Sequence, residues 1–376
     1  VLGEGVSAGE VLRATMRRAP VLLGAWLLVL AAVVLPIALA AGMIALGGAA
    51  AIAGGVLLQF RSGHAGRVAG FAVGIALLTS GWALEQVQWS QPSGERIAVA
   101  LMQGNIRQDE KWLETSLVPT MQRYWSLTEE HPEVDLVVWP EAAIPALYHQ
   151  LDRAYYAQVE DELLNTGQRL LTGTLVRDFD RQVYFNSAVV LGGEERRLYN
   201  KRHLVPFGEY FPVPDFVRRW LRLMNLPYSD FETGTDGSAL EISPGLSVAV
   251  MICYEAVFGD ELITALPDAD FLVNISNDGW FGRSIGPQQH FQIARMRAIE
   301  TQRWLLRATN TGITSIVDQH GRVHDRLPQF EMRVLRGDVQ PLEGTTPYVR
   351  FGNWLVVLLA VVLLVPGLVM RFRAKP

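Results

Sequence analysis

The sequence predicts an α/β protein, a layered α/β domain flanked by transmembrane helices, and three observations predict it. Uncharged apolar runs stand near both ends of the chain, and short β-rich runs alternate with helix-spaced segments between them. Several of those β runs are apolar at nearly every position. A strand that is apolar on both faces must be covered on both faces, so its sheet needs a layer on either side.

The apolar runs come first. Residues 21–60 hold no charged side chain and one amide, Gln59. A spanning helix takes about twenty apolar residues, so this stretch is long enough for two, with the turn expected between Pro36 and Gly42. Val68 to Leu84 reads as a third span, and Trp354 to Met370 as a fourth. The expected organisation is a cytoplasmic or amphipathic N-terminal segment over 1–20, three transmembrane helices within 21–85, a layered domain over 96–340 and a C-terminal transmembrane helix over 353–370.

Basic residues are retained on the cytoplasmic side during insertion. Arg13, Arg17 and Arg18 precede the first span, Arg61 and Arg67 separate the second from the third, and Arg371, Arg373 and Lys375 follow the fourth. One topology places all three clusters in the cytoplasm, and it puts the central domain on the other side. Trp82, Trp89 and Trp354 then fall near the outer interface, where indole is favoured.

The whole chain of 376 residues is 49% hydrophobic with a net charge of −5. That balance argues against a protein that coats nucleic acid by neutralising phosphates. One cysteine, Cys253, excludes an intrachain disulfide. His290, His320 and His324 are scattered, with no pair at a metal-ligand spacing beside a carboxylate, so neither a metal nor another cofactor is expected.

Within the central domain, Arg96–Gln103, Asp135–Trp139, Arg169–Val176, Val183–Leu191, Leu246–Cys253 and Phe271–Ser276 read as strands. Leu117–His131, Ala154–Thr166 and Gln288–Arg303 carry helical spacing.

Three places set a reactive side chain at a strand end: Glu141 after Val137-Val-Trp-Pro, Lys201 after Tyr199-Asn, and Cys253 after Met251-Ile. Ends of neighbouring strands meet at one edge of a sheet. A carboxylate, an ammonium and a thiol suffice for acyl transfer through a covalent intermediate. The carboxylate takes the thiol proton, the thiolate attacks a carbonyl, and the cation offsets charge on the carbonyl oxygen. A neighbouring ammonium also favours the thiolate.

The order of Trp139-Pro-Glu141, Lys201 and Cys253-Tyr-Glu255 resembles the nitrilase superfamily, whose domain is an α-β-β-α sandwich. Within it, NKRHLVPFGEYFP over 200–212, QGNI over 103–106 with Lys111-Trp112, and NISNDGWFG over 274–282 resemble the apolipoprotein N-acyltransferase branch. The resemblance covers residues 96 to about 340 and implies Glu141 as general base, Lys201 as stabiliser of the tetrahedral intermediate and Cys253 as nucleophile. It implies supporting roles for Glu209, Tyr254, Glu255 and Trp112, with Glu209 holding the Lys201 ammonium.

The reaction so implied uses two partners, a phospholipid acyl donor and a diacylated apolipoprotein acceptor. The sn-1 chain of the donor, chiefly phosphatidylethanolamine, passes through a Cys253 thioester to the N-terminal amine of diacylglyceryl-cysteine. The implied location is the bacterial inner membrane, with the catalytic domain on the periplasmic side. Members of that branch carry more spans ahead of the domain than the three read here.

An insertion over 202–238 is rich in aromatics and arginines, and reads as a substrate-binding lid facing membrane lipid. Its expected contacts are Phe207, Tyr210, Phe211, Arg218, Arg219 and Trp220, the arginines suiting lipid phosphate. Two rival readings stand beside acyl transfer: a membrane-tethered amidase hydrolysing small amides, and an inactive scaffold that binds lipid or lipoprotein.

Overall fold

The computed structural model describes residues 75, 87–151, 155–193, 195–210, 231–354 and 357–358. The chain divides into two compact units, Gln88–Leu355 and a second made of 1–87 with 356–376. The expected N-terminal segment and three transmembrane helices fall almost wholly outside the described residues, as does most of the C-terminal one. Among the described residues no helix is long and apolar enough to cross a membrane.

Among the described residues, the unit Gln88–Leu355 holds fourteen strands. In chain order they are β1 (Ser90–Pro92), β2 (Ile97–Gln103), β3 (Leu136–Val138), β4 (Arg169–Asp178), β5 (Val183–Leu191), β6 (Arg197–Asn200) and β7 (Leu240–Ser243). There follow β8 (Leu246–Ile252), β9 (Phe271–Ser276), β10 (Leu305–Thr309), β11 (Ser315–Val317), β12 (Val323–Arg326), β13 (Arg333–Val339) and β14 (Leu342–Gly344). Three longer helices are α1 (Glu114–Glu129), α2 (Ala157–Thr166) and α3 (Gly286–Thr301).

One six-stranded sheet runs β13-β2-β3-β4-β5-β6 and the other β12-β11-β10-β9-β8-β7. A short β1-β14 ribbon extends the unit beyond residues 96 and 340. Alternation along each strand decides the layers. In β2, Val99 and Leu101 join the core between the sheets, whereas Ala100 and Met102 face a second cluster with Tyr124 of α1 and Val159 and Leu163 of α2. In β8, Val248, Val250 and Ile252 face inward, while Ala249 and Met251 face a third cluster with Phe291, Ala294 and Ala298 of α3. Helix, sheet, sheet, helix is therefore the layering, an α-β-β-α sandwich. Each fully shielded large apolar side chain in it, such as Phe271, contributes roughly 1.5–3 kcal/mol.

Strand direction positions the site. β2, β3 and β4 are mutually parallel, and β5 and β6 follow as antiparallel neighbours, so β6 again runs with β3. β8, β9 and β10 are parallel in the other sheet. The residues that follow β3, β6, β8 and β9 consequently gather at carboxyl ends of strands.

Candidate active site

Glu141 reaches the site through a turn that only glycine permits. Trp139 N–H bonds the Leu171 carbonyl at 2.8 Å and Ala143 N–H bonds that of Gly173 at 3.1 Å, so the chain around Pro140 lies flat on β4. A Cβ at Gly173 would stand 2.6 Å from the Glu141 Cα and 2.6 Å from the Ala142 nitrogen, both backbone atoms. Gly173→Ala is expected to keep the sheet but displace Glu141, lowering turnover about 10²-fold. Wild-type turnover in that variant would show that the close approach does not place the carboxylate.

The Glu141 side chain is buried and shared. Its Oε1 accepts from Asn186 Nδ2 at 2.8 Å and lies 3.5 Å from Lys201 Nζ, and its Oε2 accepts from the Asn277 backbone N–H at 2.9 Å. The last bond crosses from one sheet to the other. Lys201, 1% exposed, makes its shorter contact with Glu209, 2.9 Å from Nζ to Oε1. Burial works against the ammonium, but Glu141 and Glu209 outweigh it and hold its pKa above the ordinary lysine value.

Glu209 arrives on a tight turn in which its N–H bonds the Val205 carbonyl and its Oε2 accepts from Val205 N–H, each at 2.8 Å. The first part of the 202–238 insertion thus belongs to the site itself. Phe207, at φ +62°, and Tyr210 sit on this turn. Phe211, Arg218, Arg219 and Trp220 lie outside the described residues. The insertion returns to the domain where Gly234 N–H bonds the Lys201 carbonyl at 2.8 Å.

Cys253 stands one residue past β8, where the sequence pattern placed it inside the strand. Its φ is +52°, the left-handed region, which costs a non-glycine residue on the order of 1–3 kcal/mol. The chain then enters a 3-10 turn, Cys253–Val257. The thiol is pushed up to about 12, chiefly by the protein packed around it and then by the Glu141 charge, with Lys201 pulling the other way. The ammonium therefore favours the thiolate, as its chemistry requires, without prevailing in the resting site.

Glu255 ties this turn to the lysine. Its Oε2 accepts from Ile252 N–H at 2.7 Å, and its Oε1 accepts from Tyr199 Oη at 2.9 Å and Arg202 N–H at 2.6 Å. It is buried between β8 and the end of β6. Tyr254, partly buried, packs edge-on to Phe258 and His203.

A cavity of about 450 Å³ opens at Glu141, Asn186, Glu209 and Asn277, with Trp112 and Trp280 also lining it. Trp112 is 52% exposed, whereas its neighbour Lys111 is buried. Lys111 Nζ donates to the Glu141 carbonyl at 3.2 Å, and burial pulls its pKa down to about 8 against the opposing charges of Glu141 and Cys253. Among the described residues no group of three or more His, Cys, Asp or Glu could hold a metal ion.

Sequence pattern alone missed Asn186 and the charged cluster of Asp278, His290 and Arg307. A signal existed for two of them: Asn186 interrupts VYFNSAVVL and Arg307 interrupts LLRAT, each a polar residue in a strand otherwise fit for burial. Asp278 is held at about 2. Burial raises it, but the Arg307 guanidinium and the His290 ring outweigh that effect. Because the folded value lies below the unfolded one, this stability is present above about pH 4 and lost as pH falls toward 2. Asp278→Asn is expected to remove about 2 kcal/mol at neutral pH and to flatten the acid limb in urea titrations. An unchanged acid limb would contradict the assignment.

The family model of carbon-nitrogen hydrolases matches residues 98–348. The chain is 45% identical over 296 residues to a protein of Nitrosomonas europaea named apolipoprotein N-acyltransferase, covering 78% of this chain and 59% of that protein. A protein of the same name from Methylococcus capsulatus is 40% identical over 317 residues, covering 83% of this chain and 62% of that one. The chain thus spans about three-fifths of the length of these relatives. Among solved structures, the C. elegans NitFhit protein is similar in fold, with a TM-score of 0.52 at 18% identity over 70% of this chain and 64% of that one.

Proposed function

Because the chain belongs to the carbon-nitrogen hydrolase family, we propose that Glu141, Lys201 and Cys253 carry out acyl transfer through a thioester. The observation that supports this most directly is the shared Glu141 carboxylate, 3.5 Å from a fully buried ammonium and at the strand edge where the one cysteine adopts a strained turn. Relatives named apolipoprotein N-acyltransferase supply the substrates of the reading. The donor is a phospholipid, chiefly phosphatidylethanolamine, and the acceptor is the α-amino group of diacylglyceryl-cysteine in an apolipoprotein, as in the last step of bacterial lipoprotein maturation.

In the first half-reaction Glu141 takes the Cys253 proton while sulfur attacks the sn-1 ester carbonyl. Lys201 offsets charge on the carbonyl oxygen, and the departing glycerol oxygen receives the proton from Glu141. In the second half, the acceptor amine attacks the thioester carbonyl, Glu141 takes the amine proton, and the thiolate leaves and is reprotonated. Glu209 and Glu255 orient Lys201 and the Cys253 turn, and Trp112, at the cavity beside Glu141, faces the acyl chain.

The apolar runs over 21–85 and 353–370 and their basic flanks support a multi-pass protein of the bacterial inner membrane with this domain on the periplasmic side. The test is mass spectrometry of Cys253 after incubation with acyl-labelled phosphatidylethanolamine. An adduct that persists in water and discharges to a diacylglyceryl-cysteine peptide is expected. Absence of the adduct overturns the reading, and rapid discharge to water favours a hydrolase.

A further inference from the structure

Beside Cys253 lies a buried polar cluster that strand pairing does not require. Asp278 and Arg307 side chains are fully shielded, and His290 is nearly so. Arg307 Nη2 stands 2.9 Å from Asp278 Oδ2 and 3.1 Å from His290 Nδ1, and also bonds through Nη1 to the Asn274 side-chain oxygen. Asp278 Oδ1 is 2.9 Å from His290 Nδ1 and accepts from Ser276 Oγ at 3.0 Å. The other ring nitrogen, Nε2, is 3.0 Å from the carbonyl oxygen of Cys253. A carbonyl oxygen only accepts, so Nε2 carries a proton and donates it.

We propose that His290, packed against the Asp278–Arg307 ion pair, is a positioning residue that locks the peptide plane between Cys253 and Tyr254 and so aims the Tyr254 N–H at the oxyanion of the acyl intermediate. This rests on the acyl-transfer reading of Cys253. A trans peptide is planar, and its carbonyl and N–H point in opposite directions. Holding the Cys253 carbonyl against α3 therefore turns the Tyr254 N–H away from that helix. Cys253 has need of such a hold, since its φ of +52° is not one that an L-residue keeps unaided.

The composition of the cluster supports orientation over stability. A buried ion pair contributes little beyond what apolar side chains of the same volume would, whereas its fixed geometry constrains whatever it touches. Here four elements converge on one imidazole: β9 through Asn274 and Ser276, the turn after it through Asp278, β10 through Arg307, and α3, which carries His290 itself. The ring has one remaining polar atom, and that atom meets the nucleophile's own carbonyl.

The test uses two reagents on the purified full chain. A p-nitrophenyl acyl ester acylates Cys253 through a tetrahedral oxyanion, whereas iodoacetamide alkylates the same sulfur at a saturated carbon with no oxyanion. His290→Asn keeps an amide where Nδ1 meets Asp278 but does not reach the Cys253 carbonyl. His290→Gln puts an N–H donor where Nε2 lies. His290→Asn is expected to slow the p-nitrophenolate burst about 10²- to 10³-fold, the usual loss for one oxyanion donor, with alkylation nearly unchanged. His290→Gln is expected to restore most of the burst.

Equal slowing with both reagents, a wild-type burst in His290→Asn, or no advantage of Gln over Asn overturns the inference. If circular dichroism shows His290→Asn unfolded, His290→Gln decides alone. A near-normal burst then supports the proposal, and a slow burst with normal alkylation overturns it. Because the ester probe needs no phospholipid, failure of the lipid reaction with an intact burst removes the donor assignment and leaves this inference standing. A wild-type protein with no burst removes both.

Discussion

Cys253→Ser leaves a folded protein whose acyl transfer falls by roughly 10⁴-fold or more. The surroundings of Cys253 already work against ionisation, since the packed protein and the Glu141 charge push the thiol up to about 12. A serine hydroxyl starts from a much higher value and meets the same opposition, so far less of the nucleophile forms at the moment of attack. The second half-reaction suffers as well, because an oxygen ester is a poorer acyl donor to an amine than a thioester. Transfer of a labelled acyl chain to a diacylglyceryl-cysteine peptide measures the loss. Turnover near that of the native protein would refute Cys253 as nucleophile. A Cys253→Ala protein that still supports lipoprotein maturation in cells would favour the scaffold reading.

Glu141→Gln should separate two quantities that ordinary damage moves together. The amide oxygen can still accept from Asn277 N–H, so the turn is kept, but the base is gone and turnover is expected to fall about 10²- to 10⁴-fold. The thiol should meanwhile ionise more readily. Glu141 raises the Cys253 pKa and Lys201 lowers it, so removing the carboxylate charge leaves the ammonium opposed only by burial and the Asp278 charge. Iodoacetamide should then label Cys253 faster near neutral pH than in the native protein, even as acyl transfer is nearly lost. Slower alkylation in a folded Glu141→Gln protein would mean that Glu141 acts by shaping the site.

Much of this arrangement was legible in the sequence. Runs such as LSVAVMI and FLVNIS called for cover on both faces, and the clusters on either side of β8 and β9 provide it. Glu141 and Lys201, read at strand ends, stand 3.5 Å apart, because strands β3 and β6 run the same way in one sheet and deliver their carboxyl ends to one edge. Strand limits moved by a residue or so, and at Cys253 the difference matters: the positive φ comes from a tertiary turn that no local pattern announces. The strands β10 to β13 were not read from the sequence. β12 and β13, with the mixed runs VHDR and RVLRGDV, are edge strands with exposed positions and so lack the apolar signature, whereas β10 and β11 are buried but short, and β10 is broken by Arg307. The cluster of Asp278, His290 and Arg307 was equally hidden, since spacing along the chain says nothing of side chains that meet only after β9, β10 and α3 pack together.

The Glu255 carboxylate has a consequence for how the protein loses activity. It grips Ile252 with one oxygen and Arg202 and Tyr199 with the other, so the Cys253 turn and the Lys201 loop form one mechanical piece. Heat or denaturant that frees either loop frees both. Inactivation should therefore follow a single sharp transition shared by thiol labelling and acyl transfer, with no intermediate in which one partner of the chemistry survives the other.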